Sequence, residues 1–420
     1  MIFIRHLQIV FASKMAATSN RVSRTLLSPG ITSLRKYLKS ELNDLRRAPI
    51  LLIASSSTSE SVNLKSVTDS CQWMKFTLGQ EFRLRTIPTT ISSAFPTKES
   101  LQETMELMRR TGASTVVSVG SGAAMDLAKA VQTDLEEKRN DDDDDDGGYN
   151  SNRMILVPTT YSGILAAGTS HSLLLDNDEE TLVPYPRNYQ NIDVGSRVTT
   201  VGTLDIKNYM EPVDDAKFDV LLYAVSAILL DAGLRKSSHP NLLKLLHKTI
   251  DLITLRNSNS NKDMTTLSEA IPELTNLLYQ SGGLISYGLG SGDLEEDDRS
   301  VTIALGSSLI PTIFPETHPI SFIAGLVPGL CHYHSCTSTG DHINDDVKEQ
   351  LQKLVEILQQ RPSEEGMHPP PSLSTKDESL QGFSIPDMAL SHIQSNQHTW
   401  KPLDVPDDVL MNVLQHSLKK

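Results

Sequence analysis

The segment Val116–Val131 (VVSVGSGAAMDLAKAV) limits the fold more than any other part of the chain. A β-branched apolar run passes directly into Gly120-Ser121-Gly122, and from there into an alanine-rich stretch over Ala123–Glu136. The pattern predicts a buried strand, a tight turn and a helix. Glycine lets the backbone turn sharply and approach a ligand with no Cβ in the way. A helix starting at such a turn aims unpaired N–H groups and a positive dipole end at the same space. A pyrophosphate is the natural occupant, although Gly-Ser-Gly between strand and helix also serves as a plain connection. The motif is not the G-x-G-x-x-G fingerprint, whose third glycine would fall on Met125.

The surrounding sequence repeats the theme. Pro49–Ser55 and Met154–Val157 read as further buried strands, and Phe82–Ile87 as another by its alternation. Thr97 is placed to cap a helix whose apolar stripe is Leu101, Met105 and Met108. Strands alternating with helices at short spacing imply a parallel sheet covered on both faces. Val157-Pro158-Thr159-Thr160-Tyr161-Ser162-Gly163 closes the Met154 strand with hydroxyls and a glycine, a second loop fit for phosphate, ribose or amide groups. Two such loops at the carboxyl ends of parallel strands mark a ligand crevice. After Leu204 the spacing becomes helical in Phe218–Leu234, Pro240–Leu255, Thr266–Tyr279, Asp346–Gln359 and Pro406–Leu418.

Length and charge set the outer bounds. At 420 residues the chain exceeds one ordinary core, so two domains are expected. Of the net charge of −14, six units come from the single run Asp141–Asp146, which reads as a solvated loop within 138–153. This balance excludes nucleic acid as a partner. No apolar stretch reaches the length of a membrane span. Three cysteines, Cys71, Cys331 and Cys336, make no disulfide framework. The first 40 residues hold seven basic and no acidic side chains, so 1–24 reads as a mitochondrial or plastid transit peptide or, equally, a disordered tail on a cytoplasmic protein.

In order and spacing the motifs resemble the iron-containing alcohol dehydrogenase superfamily, in its maleylacetate-reductase-like branch. Gly120-Ser121-Gly122-Ala123-Ala124-Met125-Asp126-Leu127-Ala128-Lys129 is similar to the family's Gly-Gly-Gly-Ser-x-x-Asp-x-Ala-Lys, and Pro158-Thr159-Thr160 to its Pro-Thr-Thr loop. The resemblance covers about 25–420. It implies an α/β, Rossmann-like dinucleotide-binding domain over 25–205 and an all-α domain over 206–420, with an exposed excursion at 362–381. NAD or NADP would lie against Gly120, Ser121, Gly122, Asp126, Thr159 and Thr160. The end of the first strand, Ile53-Ala54-Ser55-Ser56-Ser57, has no acidic residue for a ribose 2′-hydroxyl, which favours NADP.

The resemblance also implies a divalent metal, iron or zinc, held by one aspartate and three histidines. Here the family's Asp-x-x-x-His reads Asp219-Val220-Leu221-Leu222-Tyr223, the next two positions fall near Arg299 and Ile303, and His318 stands for the last. Asp219 and His318 are therefore an incomplete ligand set. Cys331-His332-Tyr333-His334-Ser335-Cys336 is a competing cluster. The implied activity is NAD(P)-dependent hydride transfer with a small alcohol, carbonyl or conjugated keto acid, Tyr223 and His318 being the catalytic candidates. Without the metal, the alternative is a degenerate nucleotide-binding or interaction protein. The resemblance implies a dimer or a larger oligomer, a homodimer being one such assembly.

Overall fold

A computed structural model describes residues 24–26, 31–56, 65–91, 93, 95–141, 153–169, 172–176, 181–185, 199–202, 210–235, 241–258, 264–287, 300–311, 313–314, 317–336, 344–360, 367–373, 388, 391 and 407–418. The basic leader, Arg299 and most of the acidic loop lie outside them.

The sheet half runs β1 (Arg24–Leu26), α1 (Ile31–Ser40), α2 (Leu42–Leu45), β2 (Ile50–Ser55), α3 (Lys65–Phe76), β3 (Thr86–Ile91), α4 (Lys98–Thr111), β4 (Thr115–Gly120), α5 (Gly122–Asp141), β5 (Arg153–Pro158), α6 (Tyr161–Gly168), β6 (Ser172–Asp176), β7 (Thr181–Tyr185) and β8 (Thr199–Gly202). Six of these strands form one parallel sheet in the order β1-β8-β5-β4-β2-β3, and β6 pairs with β7 antiparallel. Alternation within each strand assigns side chains to two cores. Leu51, Ile53, Val116, Met154 and Leu156 pack on the α4–α5 side. Ile50, Leu52, Val117, Val119, Ile155 and Val157 face α1 and α3. Burial on both faces is why β2, β4 and β5 read as unbroken apolar runs.

Some elements differ from their expected places. Phe82 and Leu84 are buried beside α3, after a π-helical turn at Thr77–Glu81, and the strand starts only at Thr86. Their alternation reflects two anchors in one core rather than a strand. The α5 helix continues to Asp141, beyond the expected Glu136. Thr97 does cap α4, in a reciprocal arrangement with Ser100, and Gly112 ends that helix in the left-handed region.

The helical half runs α7 (Asp215–Gly233), α8 (Leu242–Ser258), α9 (Met264–Tyr287), α10 (Val301–Leu309), α11 (Pro319–Gly325), α12 (Val327–Cys336), α13 (Asp345–Gln359) and α14 (Asp407–Ser417). From Phe218 to Gly233, α7 is buried almost all round, which makes it the central post of this half. The halves are joined where α6 crosses α9, with Gly168 against Gly282 and the Tyr279 carbonyl. Part of the expected exposed excursion is tied down. Met367 and Leu373 are 4% and 3% exposed, and Leu373 bridges to Leu418.

One buried histidine gives this half a pH dependence. His334 on α12 donates from Nε2 to the Leu230 carbonyl at 2.8 Å, and burial holds its pKa below the ordinary 6.5. The folded protein resists a proton that the unfolded chain accepts below about pH 6.5, so stability should fall as pH drops through that value. His334→Gln should flatten the dependence of melting temperature on pH between about 6.5 and 5, which thermal scans at stepped pH would detect.

Candidate functional site

The crossover from β3 back to β4 makes the gap between β2 and β4 the topological switch point of the sheet, where open α/β sheets bind ligands. Ser55 ends β2 there and Gly120 ends β4. The Ser55 Oγ accepts the Ser121 N–H at 2.8 Å and lies 2.9 Å from the Ser121 Oγ. Gly120 has φ +133°, and a Cβ on it would come within 2.6 Å of the Ser55 Cβ. Glycine is thus required at 120 to let the neighbouring strand end close by. Beneath the turn, Cys71 points its thiol at the carbonyls of Ser55 and Val119, and burial pushes its pKa up to about 11.

Not all of the expected ligand-facing positions face the crevice. A Cβ on Gly122 would meet the Ser162 carbonyl oxygen and the Ala166 Cβ at ordinary contact distances of 3.4 and 3.6 Å, so its α6 side is packed and only its backbone is open. Asp126 pairs with Lys129 at 3.0 Å, and the Lys129 ammonium also donates to the Ala166 carbonyl and Thr169 Oγ1, each at 2.6 Å. Burial drives the Asp126 pKa up and the Lys129 pKa down, while their mutual attraction opposes both shifts. Asp126 therefore clips α5 to the end of α6 instead of facing a cofactor.

The two threonines are frame as well. Thr159 donates its N–H to the Gly120 carbonyl at 2.9 Å and accepts the Glu211 N–H at 3.0 Å. Thr160 caps α6 by accepting the Gly163 N–H at 3.1 Å, and its hydroxyl lies 3.0 Å from that of Ser162. Both side chains are closed to solvent. What the loops present to the crevice is the partly exposed backbone of Gly122 and the partly exposed Ser162, at the starts of two helices.

Beside this crest is a charged cluster that no sequence motif announced. Glu211 is fixed by the Tyr161 N–H at 3.4 Å and forms an ion pair with Lys217. The Lys217 Nζ lies 5.9 Å from the centre of the Tyr161 ring, within cation–π range. Partial burial lowers the Lys217 pKa to about 8. His318 caps α11, its Nδ1 accepting the Ile320 N–H at 3.3 Å. The residue as a whole is exposed. Desolvation and the nearby Lys217 ammonium push its pKa down to about 4, so the imidazole is neutral with its proton on Nε2. A signal for Lys217 did exist. Asp214 is an N-cap, which puts a cation in the first turn of α7, against the helix dipole.

The expected metal ligands have other partners. Both oxygens of Asp219 are held by Arg256, at 2.9 and 3.2 Å, and one also accepts the His368 N–H at 2.9 Å and faces the His368 Nδ1 at 2.7 Å. The Tyr223 hydroxyl donates to the His368 carbonyl at 2.9 Å, so its proton is spent; burial and the Asp219 charge raise its pKa to about 12. Lys217 and Asp219 lie two residues apart on one helix, hence on opposite sides of it. His318 thus answers to Lys217 while Asp219 answers to Arg256. The Cys331–Cys336 cluster also divides: Cys331 is buried, whereas Cys336 lies 3.5 Å from His332, which stacks on His416. Among the described residues no three His, Cys, Asp or Glu side chains are arranged to hold an ion. The described residues do not fit the divalent metal.

The comparisons agree with this architecture. Residues 33–183 match the family model for iron-containing alcohol dehydrogenase. The iron-containing alcohol dehydrogenase of Thermotoga maritima superposes with a TM-score of 0.60 at 15% identity, over 95% of this chain and 99% of that one. Maleylacetate reductase from a Rhizobium species gives 0.57 at 15% identity, over 94% and 96%. The enzyme of the same name from Agrobacterium tumefaciens gives 0.54 at 14%, over 95% and 96%. No curated protein sequence matches the chain. The resemblance to the iron-containing alcohol dehydrogenases is borne out over residues 33–183, and the expected fold, a Rossmann-like parallel sheet followed by a helical half, is borne out as well. Among the described residues, no helix is long and apolar enough to cross a membrane.

Proposed function

We propose that this chain is a dinucleotide-dependent oxidoreductase acting on a small alcohol, carbonyl or conjugated keto acid, with NADP favoured over NAD. The observation that carries the reading is the crest beside the sheet's switch point, where the starts of α5 and α6 meet at the carboxyl ends of the adjacent parallel strands β4 and β5. In the first turn of α6 the Tyr161 and Gly163 N–H groups already have side-chain acceptors, so the start of α5 and the Ser162 position are what suit a pyrophosphate. Gly122 and Ser162 would face it, with Ser55 and Thr160 holding the two turns in shape. Ser56, partly exposed and uncharged at the end of β2, leaves room for a 2′-phosphate. When bound, the dinucleotide supplies or accepts hydride.

The test is fluorescence titration with NADPH and NADH. Saturable binding is expected, tighter for NADPH. Ser162→Asp places a carboxylate in the first turn of α6, where the dipole tolerates it, and directly against the phosphates. Its affinity should fall about tenfold, or about 1.4 kcal/mol, with an unchanged melting temperature. Absence of binding for both dinucleotides refutes the reading.

A second reading, a nucleotide-binding protein without turnover, is favoured by the Arg256–Asp219 pair that takes the family's metal aspartate. Tight NADPH binding with no oxidation of NADPH by any of a panel of small aldehydes and keto acids would support it.

A further inference from the structure

Resting on the dinucleotide reading, we infer that Ser55 and Ser121 act as a pair, Ser55 turning the Ser121 hydroxyl outward to donate to a pyrophosphate oxygen. The two lie 66 positions apart in sequence and meet at the switch point, Ser55 at the end of β2 and Ser121 between β4 and α5. Their Oγ atoms are 2.9 Å apart, and the Ser55 Oγ also accepts the Ser121 N–H at 2.8 Å. Each residue is only 7% exposed.

The hydroxyl protons do not balance within the pair. Each serine brings one proton and two acceptor lone pairs. The contact between them uses one proton, whichever serine donates it. Among the described residues neither hydroxyl has a further partner, so the second proton is left without an acceptor. Native structures rarely keep a buried donor in that state. Helix geometry shows where its acceptor belongs. Ser121 is the N-cap of α5, its carbonyl accepting the Met125 N–H at 3.2 Å. An N-cap serine ordinarily turns its oxygen back onto the first turn. This one is turned to Ser55 instead, and the N–H groups of Gly122, Ala123 and Ala124 have no side-chain acceptor among the described residues. Orphan N–H groups and a surplus hydroxyl proton thus meet at one helix start, which is a setting for an anionic oxygen. The Ser55 proton closes the contact and the Ser121 proton faces the phosphate. Ser55 is therefore a positioning residue, acting through Ser121. Within Gly120–Ala124 the Ser121 hydroxyl is the only one. The family pattern has glycine at this place and serine where Ala123 stands, so the hydroxyl has moved two residues toward the strand.

The test reads binding and not turnover. Ser121→Ala deletes the outward donor, and fluorescence titration should show the affinities for NADPH and NADH both reduced about tenfold. The pyrophosphate is common to the two ligands, so the ratio of their affinities should stay at the wild-type value. Melting temperature should hold, because the variant leaves one proton spare, as the wild type does. Ser121→Gly carries the same expectation and guards against a packing effect of one replacement. Ser55→Ala should also weaken both dinucleotides, and by at least about threefold less when Ser121 is already alanine, since the two act as a unit. Wild-type affinity in a folded Ser121→Ala overturns the inference and leaves the dinucleotide reading standing. So does a loss confined to NADPH, which would place the hydroxyl at the ribose 2′-phosphate, or full additivity of the two serine changes. If neither dinucleotide binds the wild type, the dinucleotide reading has failed instead, and this inference goes with it.

Discussion

Arg256→Met should lower the stability of the folded protein by about 3–5 kcal/mol, the cost of leaving a buried carboxylate without its counter-ion. The Asp219 side chain is 1% exposed, so solvent cannot replace the lost guanidinium, and His368 alone offers one N–H and one ring nitrogen. Asp219→Asn should cost less, about 1–3 kcal/mol, because Arg256 is 12% exposed and keeps Asp215 at 3.7 Å. Removing both partners, as Arg256→Met/Asp219→Leu, should recover much of the single-variant loss, since a buried pair is often replaceable by apolar groups of similar size. Urea denaturation of the three variants measures this order. Near-wild-type stability of Arg256→Met would show that the pair does not form. A pair that serves stability also predicts that chelators leave the denaturation midpoint unmoved, whereas a metal at Asp219 would shift it.

The fold was legible because burial leaves its mark on composition. Strands β2, β4 and β5 are apolar throughout since helices cover both of their faces, and the two loops stand out as punctuation after such runs. The roles of the loop residues were less legible, because a motif records residue types and not their partners. The Ser121 N–H looks like a phosphate donor until Ser55, 66 residues away, is found to accept it. Asp126 looks like a ligand until Lys129 is seen reaching on to Thr169. Asp219 is the sharpest case. Its partners lie 37 and 149 residues away, in an arginine and a proline-rich segment that carry no family signature. Lys217 was overlooked for the converse reason: its setting comes from Glu211 and Tyr161, neither of which its own helix reveals. A cation in a helix's first turn breaks a local rule, and such breaches are where function is to be sought.

Gly168→Ala should be strongly damaging for a single methyl, costing about 3 kcal/mol or more. At this crossing of α6 over α9 a Cβ would lie 3.0 Å from the Tyr279 carbonyl carbon and closer still to its oxygen. The opposing residue is equally tight, since a Cβ on Gly282 would come within 2.6 Å of the Leu165 oxygen. Flexible side chains can move aside from a new methyl, but here the obstacle is backbone on both helices, so the helices themselves must separate. This crossing joins the sheet to the helical half, and α6 carries the Ser162 crest at its other end. Separation should therefore weaken dinucleotide binding along with stability, although residue 168 lies a full helix length from the crest. Gly79→Ala is the control: nothing lies within 4 Å of its added Cβ, and the change should leave stability unaltered or raise it by about 0.5 kcal/mol. Melting temperature and NADPH affinity, measured on both variants, decide the matter. If Gly168→Ala melts with the wild type, the two helices do not cross at glycine, and the crest would have to be held by the sheet alone.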